Sequence, residues 1–163
     1  MKKLVITLVV AAIVSAAWYA FRPDRLFINQ RVNEQSPTVA ASATTLAKGQ
    51  FHSGAHETKG TATILQSTSG QRTLRLTGFE TSNGPDVHVY LVAAPDAKDA
   101  DTVKNAGYVD LGSMKGNIGD QNYDVPSNVD LGKYQAATIW CARFSVNFGT
   151  APLMNDSMQS MTR

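Results

Sequence analysis

Residues Asp86 to Val92 constrain the fold more than any other segment. Extended, they put Val87, Val89 and Leu91 on one side and His88, Tyr90 and Val92 on the other. A strand that is mostly apolar on both faces belongs where both faces are covered, so the chain must build layers on either side of it. The neighbouring segments supply those layers. Thr61 to Leu65 is short and rich in β-branched residues, and Ser67 to Gly70 provides a turn. Arg72 to Thr77 alternates with period two, which places Leu74 and Leu76 on a buried face and the arginines outward. Asn83-Gly84-Pro85 is a strong turn signal. Tyr108 to Leu111, Gln121 to Val125, Tyr134 to Cys141 and Phe144 to Phe148 complete a set of about seven to nine short strands. Ala97 to Ala106 has room for a helical turn and no more. The expected fold is all-β, an antiparallel β-sandwich or barrel-like domain preceded by one N-terminal transmembrane helix.

That helix is read from Leu4 to Phe21, a run without charge in which only Thr7 and Ser15 are polar. At 1.5 Å per residue it spans about 27 Å, close to the roughly 30 Å hydrocarbon core of a bilayer. Lys2 and Lys3 precede it; Trp18, Tyr19 and Phe21 fall at its far end, where aromatic rings sit well among headgroups. Arg22 and Arg25 follow, and Pro23 stops the helix. A signal peptide cut after Ala17 is the competing reading, since Ser15 and Ala17 are small. The long run, continuing in bulky aromatics past that point, favours an uncleaved single-pass anchor. Residues 1–3 then lie in the cytoplasm and the C-terminal domain outside it. No cysteine lies near the run to carry a lipid.

Charge has to be divided before it is informative. Of 15 basic residues, Lys2, Lys3, Arg22, Arg25 and Arg31 belong to the anchor and stem, opposed only by Asp24 and Glu34 among 13 acidic ones. From residue 35 onward the chain is close to neutral and has no dense run of either sign. It carries no basic footprint for nucleic acid. Residues 22–47 read as a stem, rich from Val32 onward in Gln, Ser, Pro, Thr and Ala without hydrophobic period. Residues 48–154 read as one domain of ordinary size, and 155–163 as a polar, flexible tail.

The chain has 1 cysteine. In an exported protein an unpaired cysteine points to a reactive thiol, a ligand or an intermolecular bridge. Cys141 follows Ile139-Trp140 and precedes Phe144, so the alternative is a small buried residue filling a gap between aromatics. Thiol reactivity requires thiolate, hence a cation or exposed dipoles nearby. Arg143 would share its face if extended geometry continues.

Several blocks occur in a specific order: Gly49-Gln50-Phe51 with His56 and Gly60; Gly78-Phe79; Gly84-Pro85-Asp86-Val87-His88-Val89-Tyr90-Leu91; and Asp110-Leu111-Gly112. Lys115-Gly116-Asn117, Gly119 to Tyr123 and Val125-Pro126 follow, and then Tyr134, Ile139-Trp140-Cys141, Phe144-Ser145-Val146, Phe148 and Ala151-Pro152-Leu153. In this order they resemble the electron-transfer DM-thirteen domain, a small β-rich module found beside DOMON and b-type cytochrome domains. Val32-Asn33-Glu34 after the helix is similar to the stem of bacterial members. The resemblance implies a sandwich and a redox role centred on Cys141, acting as a bare thiol or as a ligand to a group such as haem. With no obvious cofactor motif and no resolving cysteine in the chain, such a role requires a bound group or a redox partner in the cell envelope.

A ligand role needs companions, and the candidates are His56 and His88, with His52 and Asp86 behind them. His52 and His56 have helical metal-pair spacing, but Gly54 and Gly60 make that segment loop and strand, where two exposed histidines are the plainer reading. His88 lies in the doubly covered strand with Asp86 on its face, and a satisfied core histidine is its plainer reading. A blue-copper site is rejected, because no histidine follows Cys141 and the next methionine is Met154. Gly112, Gly116 and Gly119 lack the ending of a phosphate loop and are read as hairpin glycines. Two functions remain: a membrane-tethered redox module rather than a self-sufficient enzyme, or a binding and protein-interaction module in which the cysteine merely packs.

Overall fold

Alternation of side chains decides which residues face inward, and in the computed structural model, which describes residues 2–21, 28–37 and 43–155, it produces two packed sheets. The first joins β1 (Thr44–Gln50), β3 (Lys59–Gln66), β4 (Arg72–Glu80) and β7 (Gln121–Val125) in the order β1-β3-β4-β7. The second joins β2 (His52–Ser53), β5 (Val87–Val92), β6 (Tyr108–Ser113), β8 (Ala136–Cys141) and β9 (Val146–Pro152) in the order β2-β9-β8-β5-β6. Every pairing within the sheets is antiparallel. The expected sandwich is therefore the fold.

Ile64, Leu74, Leu76 and Tyr123 from the first sheet meet Val87, Val89, Leu91, Ile139 and Phe148 from the second to form the core. Each such side chain contributes about 1.5–3 kcal/mol by leaving water. Strand β5 is covered on both faces, as its composition requires. Its other face packs Tyr90 and Val92 with Ala97, Val103, Ala136 and Trp140. Part of that cover is α2 (Ala100–Ala106), whose Val103 is fully buried and whose first turn is capped by Asp99 accepting from the Thr102 amide at 2.7 Å.

Some local readings shift. Arg75 points outward and pairs with Asp120 at 2.7 Å. Arg72 has the parity of Leu74, sits opposite the buried Val125, and is half-buried, its guanidinium donating to the Val129 carbonyl at 2.9 Å. Strand β1 begins at Thr44, inside the stretch read as stem. Its small, polar residues carry little hydrophobic signal, and its place is fixed by backbone pairing with β3.

Part of the stem is also laid onto the sandwich. Arg31 forms a parallel bridge with Ile118, the Val32 amide donates to the Ile118 carbonyl at 2.9 Å, and the Glu34 amide donates to the Asp120 carbonyl at 2.9 Å. Backbone hydrogen bonds leave no side-chain period, so a segment held mainly by them reads as a spacer.

Helix α1 (Lys2–Phe21) is apolar on every side, with a mean hydropathy of 1.6 over Lys2–Tyr19 and none of that stretch buried. Its length and composition suit a membrane anchor or a signal sequence. Arg22, Pro23 and Arg25, and residues 156–163 of the tail, lie outside the described residues.

Candidate functional site: the cysteine cleft

Cys141 is the last residue of β8, paired with Val87 on one side and Val146 on the other. Its side chain points between the sheets, and the residue is 1% exposed. The strand ends there because residues 142–145 turn, with Ser145 at φ +53°. Extended geometry thus stops before Arg143, which is exposed in the turn rather than continuing the strand face of Cys141. The turn is tied down by the Ala142 amide donating to the Asp86 carbonyl at 2.8 Å.

Beside Cys141 lies an open, largely apolar cleft of about 110 Å³, lined by His56, Asn83, Gly84, Pro85, Cys141, Phe144, Val146 and Phe148. The Asn83-Gly84-Pro85 turn forms one wall, and Phe144, 56% exposed, stands at the mouth. His56 is half-buried with its ring on Phe148, centroids 3.9 Å apart and planes tilted by 39°. It is held there through β9. The Phe148 carbonyl accepts from the Gly54 amide at 2.9 Å, the His56 amide at 3.3 Å and the Thr58 hydroxyl at 3.0 Å. His56 and Cys141 therefore line one cavity, brought together from distant positions in the sequence.

His88 does not share this cavity. It is cross-strand from Trp140 and lies on the opposite face of β5 from Val87, the partner of Cys141. There its Nδ1 is 2.9 Å from Asp110 and its Nε2 is 3.3 Å from Asp86. The ring meets Tyr90 edge-on at 6.1 Å, and Tyr90 stacks on Tyr108 at 4.2 Å. Burial, then the Asp110 charge and Tyr108, push the Tyr90 hydroxyl up to about 12. His52 is separate again, bonded to Asp96 at 2.8 Å. Among the described residues no three His, Cys, Asp or Glu side chains are grouped to hold a metal ion.

Haem does not fit these residues. Sites for drug-sized molecules run to about 300–1,000 Å³, whereas the cleft is about 110 Å³. His88, the buried-strand candidate for a second ligand, faces the other way. What the cleft can receive is a small group or the tip of a partner's side chain.

The partners of His56 are the part that residue patterns did not disclose. The one available signal was His56 and Phe148 each occurring in a motif block, and blocks say nothing about which residues touch. No curated protein and no solved structure matches the chain. The family model described as electron transfer DM13 matches residues 50–153, from the last residue of β1 to the residue after β9. With nearly the whole two-sheet body covered, the chain belongs to the electron-transfer DM13 family.

Proposed function

We propose that this protein is a membrane-tethered redox module working outside the cytoplasm, with the Cys141 thiol as its reacting group. The observation that carries the reading is the cleft that Cys141 and His56 both line. With a single cysteine the chain cannot close an internal disulfide, so its thiol chemistry passes through a partner. The thiolate attacks a partner disulfide, a mixed disulfide forms at Cys141, and the other partner sulfur leaves as thiolate. His56 is the group in the cleft able to take the thiol proton. Phe144 and Phe148 keep the sulfur from bulk water between encounters. The apolar helix serves as anchor and confines the domain to the membrane surface, where an envelope redox protein meets it.

A second reading is an interaction module with a structural cysteine, and the 1% exposure of Cys141 favours it. Equilibrating the full chain with glutathione disulfide under native conditions and weighing it by mass spectrometry separates the two. The redox reading expects one glutathione added at Cys141, removed by reduced glutathione and absent in Cys141→Ser. An adduct formed only in denaturant supports the interaction module.

A further inference from the structure

The stem is seated more firmly than a tether requires. Asn117, 2% exposed, accepts from the Gln30 amide at 2.7 Å and donates to the Asn29 side chain at 2.9 Å. Glu34 bonds Lys115 at 2.7 Å and accepts from the Asn122 amide at 2.7 Å. The sandwich makes room for it with glycines. A Cβ at Gly116 would stand 2.5 Å from the Gln30 carbonyl oxygen and 2.7 Å from a Val32 methyl, and one at Gly119 would collide with the Val32 carbonyl.

The seat adjoins the cysteine cleft. The Asn83 side chain donates to the Ile28 carbonyl at 3.0 Å, and Asn83 is also a wall of the cleft that Phe144 guards. Ile28 is 61% exposed and Phe144 56%, two large apolar side chains at one end of the sandwich. From the helix end at Phe21 to Ile28 the chain takes seven steps, which reach at most about 25 Å. A tether that short, leaving from a rigid seat, fixes which end of the sandwich faces the bilayer.

We propose that the docked stem holds the cleft end of the sandwich against the lipid headgroups, with Ile28 and Phe144 entering the interface and Arg31, exposed beside the seat, favouring anionic lipid. The partner of this surface is the bilayer itself. The inference rests on the anchoring reading of α1 and not on the chemistry of Cys141.

The test places single nitroxide labels at Phe144→Cys and, separately, Ser69→Cys, each in the full chain with Cys141→Ser. Ser69 lies in the turn before β4, at the far end of that strand from the Glu80–Ile118 bridge beside the stem. In vesicles of phosphatidylethanolamine and phosphatidylglycerol, collisions with lipid-soluble oxygen and with a water-soluble nickel chelate report depth. Expected is an oxygen-to-nickel ratio several-fold higher at residue 144 than at 69, falling toward the value at 69 in Gly116→Val. A flexible Gly-Ser insert after Asp24, which leaves the sandwich sequence intact, is expected to lower it too. Equal ratios at 144 and 69 in a chain that stays with the vesicles through an alkaline wash overturn the proposal. So does a high ratio at 144 that survives both changes, which assigns the contact to something other than the stem. Release of the chain by the wash overturns the anchor and this proposal together.

Discussion

At the scale of single residues, the chemistry of this chain is set by which face of a strand each group occupies. Residues 140 and 141 are neighbours in sequence and belong to different packing layers, Trp140 with Tyr90 and Cys141 with the inter-sheet core. The same parity separates His88 from the cysteine, so a histidine that looked available to the thiol is occupied by two carboxylates instead. The aromatic side of this arrangement titrates. Burial first of all pushes both Tyr90 and Tyr123 up to about 12; an amide hydrogen bond from Lys115 only partly counters it at Tyr123. A tyrosine whose folded pKa lies above its unfolded value of 10.0 stabilises the fold fully below pH 10, and that contribution is lost as pH climbs from 10 toward 12. A tyrosinate absorbance titration of the folded chain should accordingly show Tyr90 and Tyr123 ionising late, with unfolding setting in over the same range. Absence of a late phase that Tyr90→Phe or Tyr123→Phe diminishes would contradict the burial assigned to them.

At the scale of elements, the stem illustrates what is legible in a sequence and what is not. Burial at Glu34 raises its pKa, but the hydrogen bonds from Lys115 and the Asn122 amide, with the charges of Lys115 and Arg75, outweigh this and hold it below the usual 4.5. A carboxylate depressed by folding stabilises the docked state above pH 4.5, and that contribution is lost as pH falls through its lower folded value. Glu34→Gln is expected to weaken docking by about 1 kcal/mol at neutral pH, the pair being partly exposed, and to flatten this acid dependence. Hydrogen exchange at the Val32 and Glu34 amides is the readout; unchanged protection in Glu34→Gln would show that the backbone bonds alone hold the segment. Strands β4 and β5 were readable because Leu74, Leu76, Val87, Val89 and Leu91 keep period two along the faces that meet between the sheets. The docked stem and β1 were not, because their placement depends on backbone pairing and, for the stem, on glycines at 116 and 119 that admit residues 30–32. The end of β8 at Cys141 was legible, but the start of β9 at Val146 rather than Phe144 was not: the turn at 142–145, with Ser145 at positive φ, carries no glycine to announce it.

At the scale of the whole molecule, two features bear on the proposed function: a β-sandwich with a thiol set at one end, and an apolar helix whose length and composition suit a membrane anchor or a signal sequence. The family assignment supplies the electron-transfer description, while the cleft supplies the local reason to place that chemistry at Cys141. Phe144 is the adjustable part, since it stands at the mouth and is exposed, so Phe144→Ala is expected to change stability by no more than about 0.5 kcal/mol. The most direct measurement is the rate of Cys141 alkylation in the native full chain, by iodoacetamide and by a bulky maleimide dye, against the rates in denaturant. Iodoacetamide is expected to react with the folded protein, several-fold faster in Phe144→Ala, while the dye waits for unfolding. A sulfur that reacts with neither reagent until the fold is lost, in both the parent chain and Phe144→Ala, would contradict it.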